Sequence, residues 1–272
     1  MSTDSRQNPV AEATALLTNL PVPENQTTAR PAEVAAWFPF VGVVYFGAAA
    51  VVVMLGGALL GLVIGWSLED GLGRLSWLFA AVIVGLWALL SRFIHWDGLA
   101  DVSDAYWGGG SRERRLEIMK DSSVGSFALI AVVLIAVLQI SALGAVASVG
   151  GMFVIPVLLC TPLFGRLAAT FAAWFGTPAR SNGLGSRYNS RPTLLSVLVV
   201  LVTCSIAGIG WAIEAFSPWA WAIFIVVALT GAALIPHLLA KRFGGVTGDV
   251  MGASILMTET TCLIVAALVA GM

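Results

Sequence analysis

The stretch Val124-Gly-Ser-Phe-Ala-Leu-Ile-Ala-Val-Val-Leu-Ile-Ala-Val-Leu-Gln-Ile-Ser-Ala-Leu-Gly-Ala-Val-Ala147 carries no charge from end to end. A helix needs about 20 apolar residues to cross the hydrocarbon core of a bilayer, and this run is long enough. Working outward from it, further charge-free runs lie near 39–66, 75–91, 193–213 and 218–239. A run at 152–175 is interrupted by Arg166, and one at 250–271 carries only Glu259. The pattern predicts an all-α, polytopic transmembrane bundle of about seven spans, or six if 152–175 is re-entrant around Pro156 and Pro162. Unsatisfied backbone groups are too costly in lipid for other architectures. Gly57, Gly61 and Gly65 form a small-residue ridge suited to close helix packing.

Composition agrees. Of the 272 residues 58% are hydrophobic and 11% charged, against about 25% charged in soluble domains; mean hydropathy is +0.93. The net charge of −1 gives no basis for nucleic-acid binding. Cys160, Cys204 and Cys262 stand singly in apolar runs, a spacing that suits neither a zinc site nor a disulfide framework. Residues 1–36 read as a polar, partly disordered cytoplasmic arm without a cleaved signal peptide, and 37–272 as one transmembrane catalytic domain. Twelve of the 14 Lys and Arg fall in the N-terminal arm and three alternate loops. The positive-inside rule places these in the cytoplasm, as in a multi-pass protein of the inner membrane.

Residues 92–121 hold 11 of the 29 charged side chains. Within them, Asp97, Asp101 and Asp104 are spaced i,i+4 and i,i+3, so a helix gathers them into one stripe. Carboxylates about 6 Å apart repel by roughly 1–3 kcal/mol per pair at intermediate dielectric, so such a stripe wants a cation or protons. A few carboxylates together with substrate phosphates are the usual setting of Mg²⁺; the bland alternative is a solvated helix face. His95 is suited to be a general base or to hold an aspartate in place. Gly108-Gly109-Gly110 ends the helix, and Ser111 can cap a short amphipathic one reaching Lys120. Two later loops, Arg180-Ser-Asn-Gly183-Leu-Gly185 and Lys241-Arg-Phe-Gly-Gly-Val-Thr247-Gly248-Asp249, fall on the same side. Acids for metal, with basic residues and glycines for phosphate, suggest chemistry on a pyrophosphate.

Five ordered motifs carry a family resemblance. These are Leu17-Thr-Asn-Leu-Pro-Val-Pro23, Phe38-Pro-Phe-Val-Gly42, and His95-Trp-Asp-Gly-Leu-Ala-Asp-Val-Ser-Asp-Ala105 followed by Arg115-Leu-Glu-Ile-Met-Lys-Asp-Ser-Ser-Val-Gly-Ser126. Ala179-Arg-Ser-Asn-Gly-Leu-Gly185 and Gly244-Gly-Val-Thr-Gly-Asp-Val-Met-Gly-Ala253 complete the set. Together they resemble the cobalamin synthases, the adenosylcobinamide-GDP ribazoletransferases. Asn19, Trp96, Ala105 and Asn182 depart from the residues usual there, which bears on substrate fit. The resemblance implies Mg²⁺-dependent transfer of the cobinamide-phosphate moiety of adenosylcobinamide-GDP to α-ribazole or its 5′-phosphate, releasing GMP. It implies Asp97, Asp101, Asp104 and Asp121 as metal ligands, with His95 beside them in catalysis. Arg92, Arg115, Lys120, Ser122, Arg166, Arg180, Gly183, Gly185, Thr247, Gly248 and Asp249 are its candidate substrate contacts, and a homo-oligomer is left open.

Two other readings compete. A CDP-alcohol phosphotransferase shares the D-G-x-x-A element, but Asp101 replaces its usual Arg and the downstream aspartates are missing. An ion-coupled transporter would show internal repeats and mid-bilayer acids, whereas these acids cluster at one edge.

Overall fold

The structure, a computed structural model, describes residues 8–22, 29–63, 68–121, 123–149, 154–208 and 217–270, apart from the side chains of 68–72 and 74. Ser122, Gly65 and the 209–213 end of one expected span lie outside the described residues. Eleven helical elements follow in order. They are α1 (Pro9–Leu17), α2 (Pro31–Val63), α3 (Leu68–Leu90), α4 (Ile94–Gly108), α5 (Arg112–Ile118) and α6 (Ser126–Val149). Then come α7 (Val154–Phe175), α8 (Leu184–Arg187), α9 (Leu194–Cys204), α10 (Pro218–Phe243) and α11 (Gly248–Val269). Among the described residues there is no strand beyond one isolated parallel bridge, Pro178 to Val246.

Five of these helices are long and apolar enough to span a bilayer: α2, α6, α7, α10 and α11. A sixth span results if Leu75–Leu90 of α3 and α4, bent by 89° at their junction, count as one. Among the described residues the expected count of about seven is therefore not confirmed. The apolar 194–208 segment is a shorter helix, and α4 is too polar and too short to stand alone.

The spans form two classes. Most of α7 and α11 is buried, whereas the most apolar 18 residues of α2, α6 and α10 are only about a quarter buried. The first pair is thus the core, and the others present leucine and valine faces outward, as spans bathed in lipid do. Arg166 of α7 and Glu259 of α11 form an ion pair in this core, both nearly fully buried. The Arg166 guanidinium also lies 3.7 Å over the Phe46 ring. Gln139 of α6 donates to Thr260 of α11 at 3.1 Å.

In α2, residues Gly42–Gly47 make a π-helical turn. Such a turn disturbs the carbonyl ladder, and the Trp87 indole N–H donates to the Phe46 carbonyl at 3.0 Å. The described part of the arm contains two helical pieces, α1 and the start of α2. Asn8 caps α1 through Val10 and Ala11, and Ala13, Thr14 and Leu17 are buried. The first turn of α2 is held on α7 by Thr170 Oγ1, which donates to the Ala35 carbonyl, and by the Trp174 indole, which donates to that of Ala32.

Candidate active site

The bend before α4 is built from two non-glycine residues in the left-handed region, Arg92 (φ 52°) and Phe93 (φ 60°). That conformation costs a side-chain-bearing residue roughly 1–2 kcal/mol, and strain of this kind concentrates at functional sites. Phe93 N–H donates back to Ala88 and Arg92 N–H to Leu89, which ends α3 much as a Schellman motif would. The arm reinforces the bend. Asn19 donates its backbone N–H to Leu90 at 2.9 Å and its side-chain amide to Leu89. The Arg92 guanidinium donates to Ala15 of α1 at 3.1 Å. Asn19, one of the family departures, thus caps α3.

From this bend α4 projects the three aspartates on one face, with Leu99, Val102 and Ser103 buried on the other. Packing against α11 requires glycine. A Cβ on Gly98 would stand 2.9 Å from the Asp249 carbonyl oxygen, and one on Gly252 3.2 Å from the His95 Cα. The two helices meet backbone to backbone there, which carries Asp249 to the aspartate face. Asp101 accordingly lies within electrostatic range of Asp97, Asp104 and Asp249. Among the described residues none of these four carboxylates has an ion-pair partner.

The four are not equivalent. Asp104 accepts from the Gly125 N–H at 2.6 Å and the Ala128 N–H at 2.9 Å, so it caps α6, where the helix dipole favours a carboxylate. Asp249 sits in the first turn of α11, after Thr247, whose hydroxyl accepts from Val250 and donates to Asp249. Asp121 accepts from the Ser123 N–H in its own turn at 3.0 Å, which holds its carboxyl below the usual range.

Asp97 and Asp249 share a pocket of about 260 Å³ with Arg92, His95, Gly248 and Tyr188. Its apolar wall includes Leu16 and Leu17 of α1 and Phe38. His95 is buried, and its Nε2 has no hydrogen-bond partner among the described residues. Arg166 acts on His95 electrostatically from the core but is held by Glu259.

Three loop segments close over this end of the bundle. The Arg112 guanidinium donates to Ala179 and that of Arg180 to Leu116 at 2.8 Å. Val246 N–H donates to Thr177, and Ala179 N–H to Val246. Gly185 is pressed against the Val246 carbonyl, while Gly183 (φ 131°) stands open. The motif loops 179–185 and 244–249 are thereby one unit, with Arg180 within electrostatic range of Asp249 and its Nε without a partner. Arg115 instead donates to the Arg242 carbonyl on the far side of α4. Lys120 is exposed near the end of α5.

The structure therefore brings Asp97, Asp101, Asp249, His95, Arg92, Arg180, Thr247 and Gly248 together. It gives Asp104 and Arg166 partners within the fold and leaves Asp121 at the surface. Tyr188 and the arm residues Leu16 and Leu17 were missed. Of these only Leu17 falls in a motif, the one at 17–23, which carried no charge to suggest a role. Among the described residues no three His, Cys, Asp or Glu side chains form a ready-made metal cage. Mg²⁺ does not need one, since it takes one or two carboxylates together with waters and substrate phosphates, and the unpaired aspartates meet that requirement.

Comparison with known proteins identifies the family of the chain. The family described as cobalamin-5-phosphate synthase matches residues 9–267. An adenosylcobinamide-GDP ribazoletransferase of Pseudomonas putida is 38% identical over 193 residues, 69% of this chain and 73% of that protein. One from Chlorobium phaeovibrioides is 35% identical over 237 residues, 82% of each chain. One from Frankia casuarinae is 34% identical over 206 residues, 70% of each chain. No solved structure matches the chain.

Proposed function

The chain belongs to the cobalamin-5-phosphate synthase family, and from that membership we propose how its pocket carries out the reaction. It is a multi-pass membrane enzyme that transfers the cobinamide-phosphate moiety of adenosylcobinamide-GDP to α-ribazole or its 5′-phosphate, giving adenosylcobalamin or its 5′-phosphate and GMP. The 3′-hydroxyl oxygen of the ribose forms a bond to the cobinamide-side phosphorus. The bond from that phosphorus to the bridging oxygen breaks, and GMP departs with the electron pair.

The observation that carries the site assignment is that Asp97 and Asp249 share one pocket, that Asp101 lies one turn along α4 within electrostatic range of both, and that none of the three has an ion-pair partner among the described residues. A pyrophosphate cannot approach three bare carboxylates without a counter-charge. We assign these three as the residues that hold Mg²⁺, which when bound supplies the charge neutralisation a pyrophosphate needs. Arg180, with an unpartnered Nε, and Arg92, at the pocket wall, contact phosphate. His95 Nε2, buried and unpartnered, receives the proton of the attacking hydroxyl. The pocket is smaller than the about 300–1,000 Å³ usual for drug-sized ligands. It suits the base and ribose of ribazole, stacked near Tyr188 and Phe38, while the corrin stays at the mouth. The clustering of Lys and Arg in the loops at this end supports a cytoplasmic orientation in the inner membrane.

Purified protein given adenosylcobinamide-GDP, α-ribazole and Mg²⁺ is expected to form GMP and adenosylcobalamin in equal amounts, and EDTA is expected to stop both. Turnover that survives EDTA would remove the metal assignment. GMP release without α-ribazole would indicate hydrolysis in place of transfer.

A further inference from the structure

A second and larger cavity, about 930 Å³, opens on the far face of α4 from the aspartates, between α4, α6 and α10. Its walls are apolar. Leu134 and Leu138 of α6 and Leu238 of α10 line it and are 56%, 42% and 57% exposed, on faces that only lipid would cover. Its rim is cationic: Arg115, Lys241 and Arg242 all border it. None of the three has an acidic partner among the described residues. Arg242 lies 5.3 Å over the Tyr106 ring, and the Nε of Arg115 is buried without a partner.

Three like charges at one mouth repel one another; the Tyr106 ring, the Arg242 carbonyl and the C-terminal end of α10 offset them in part, but no acid does among the described residues. An occupant must therefore bring negative charge to the rim and hydrocarbon to the walls. The rim lies where α10 ends and α6 begins, the depth at which lipid headgroups meet water. Aromatic side chains favour that depth, as do Lys and Arg side chains reaching for headgroups. Basic pockets between spans recognise anionic headgroups in this way. A second copy of the chain would need an acidic, apolar patch at the matching height, and the exposed acids of this end, Glu113, Glu117 and Asp121, lie on or beside the polar α5 among its own arginines. We propose that this groove binds an anionic phospholipid of the bilayer, its phosphate among Lys241, Arg242 and Arg115 and an acyl chain along Leu134, Leu138 and Leu238.

Delipidated, purified protein titrated with palmitoyl-oleoyl phosphatidylglycerol or the matching phosphatidylcholine, and read by native mass spectrometry, tests this. Retention of the anionic lipid is expected to be at least about tenfold tighter, a factor within reach of two or three juxtamembrane cations. The double variant K241Q/R242Q is expected to lose that preference. Leu134→Trp, which fills the groove from an outward-facing position, is expected to lose retention of both lipids and carries the test if the double variant does not fold. Equal retention of the two lipids by the wild type, or an unchanged preference in either variant, would overturn the proposal. So would displacement of phosphatidylglycerol by adenosylcobinamide-GDP, which would give the groove to the substrate, or by dimer formation, which would give it to a second copy.

Discussion

Asp97, Asp101 and Asp104 share a helix face, yet their surroundings divide the labour among them. Asp104 is consumed by two N–H groups at the start of α6, and removing a side-chain cap costs about 0.5–2 kcal/mol. Asp104→Ala is therefore expected to lower stability by that order, measured by thermal denaturation in detergent, together with any loss of rate. Asp101→Asn is expected to cut turnover at least about a hundredfold at low Mg²⁺ while leaving the melting temperature unchanged or higher, because it removes one of four mutually repelling carboxylates. Equal destabilisation by both variants would contradict the division. The i,i+4,i+3 spacing was enough to place the three on one face. It could not tell which one is a cap, because the capped groups lie 21 and 24 residues further along the chain. Asp249 was visible in its glycine-rich motif, but its place beside Asp97 depends on the Gly98–Gly252 crossing, a contact between distant helices that no local pattern encodes.

The arm and the bend it braces form one side of the site. Arg92 holds a left-handed conformation and donates to Ala15. Relief of that strain, roughly 1–2 kcal/mol, nearly offsets the loss of a hydrogen bond worth about 0.5–1.5 kcal/mol. Arg92→Gly is thus expected to leave stability within about 1 kcal/mol by denaturant titration while raising the KM for the pyrophosphate substrate; a loss above about 3 kcal/mol would refute the strain account. Truncating buried Leu17 to Ala is expected to loosen α1 by about 2–5 kcal/mol. Limited proteolysis should then cut within residues 8–22, and the KM for α-ribazole should rise. Unchanged proteolysis and KM would mean that α1 does not wall the pocket. The helix in this arm was hard to see because its polar composition hides a short apolar stripe, Ala13 with Leu17, whose docking partners are far off in sequence. The spans were plain, since charge-free length is a local property.

At the scale of the molecule, the buried Arg166–Glu259 pair ties together the two core spans. Both charges interrupt otherwise apolar runs, so their burial was readable, but which of them pairs with what was not. Arg166→Met alone is expected to cost about 3–5 kcal/mol by stranding the carboxylate, and Arg166→Met with Glu259→Leu to recover most of it. Failure of the double variant to recover would give the pair a role beyond packing. Among the described residues the count of about seven spans is not confirmed, because charge-free length alone does not distinguish a full crossing from a short helix such as 194–208 or a limb bent by 89°. The proposed function rests on Asp97, Asp101 and Asp249 together holding a cation on which phosphoryl transfer would depend. The most direct test is the rate of GMP and adenosylcobalamin formation by Asp97→Asn, Asp101→Asn and Asp249→Asn, each reconstituted in the same vesicles and titrated with MgCl₂. The account predicts that each variant loses at least about a hundredfold in rate at low Mg²⁺, the scale of a lost electrostatic stabiliser, with its Mg²⁺ requirement shifted upward. Wild-type rate and an unshifted Mg²⁺ dependence in all three would contradict it.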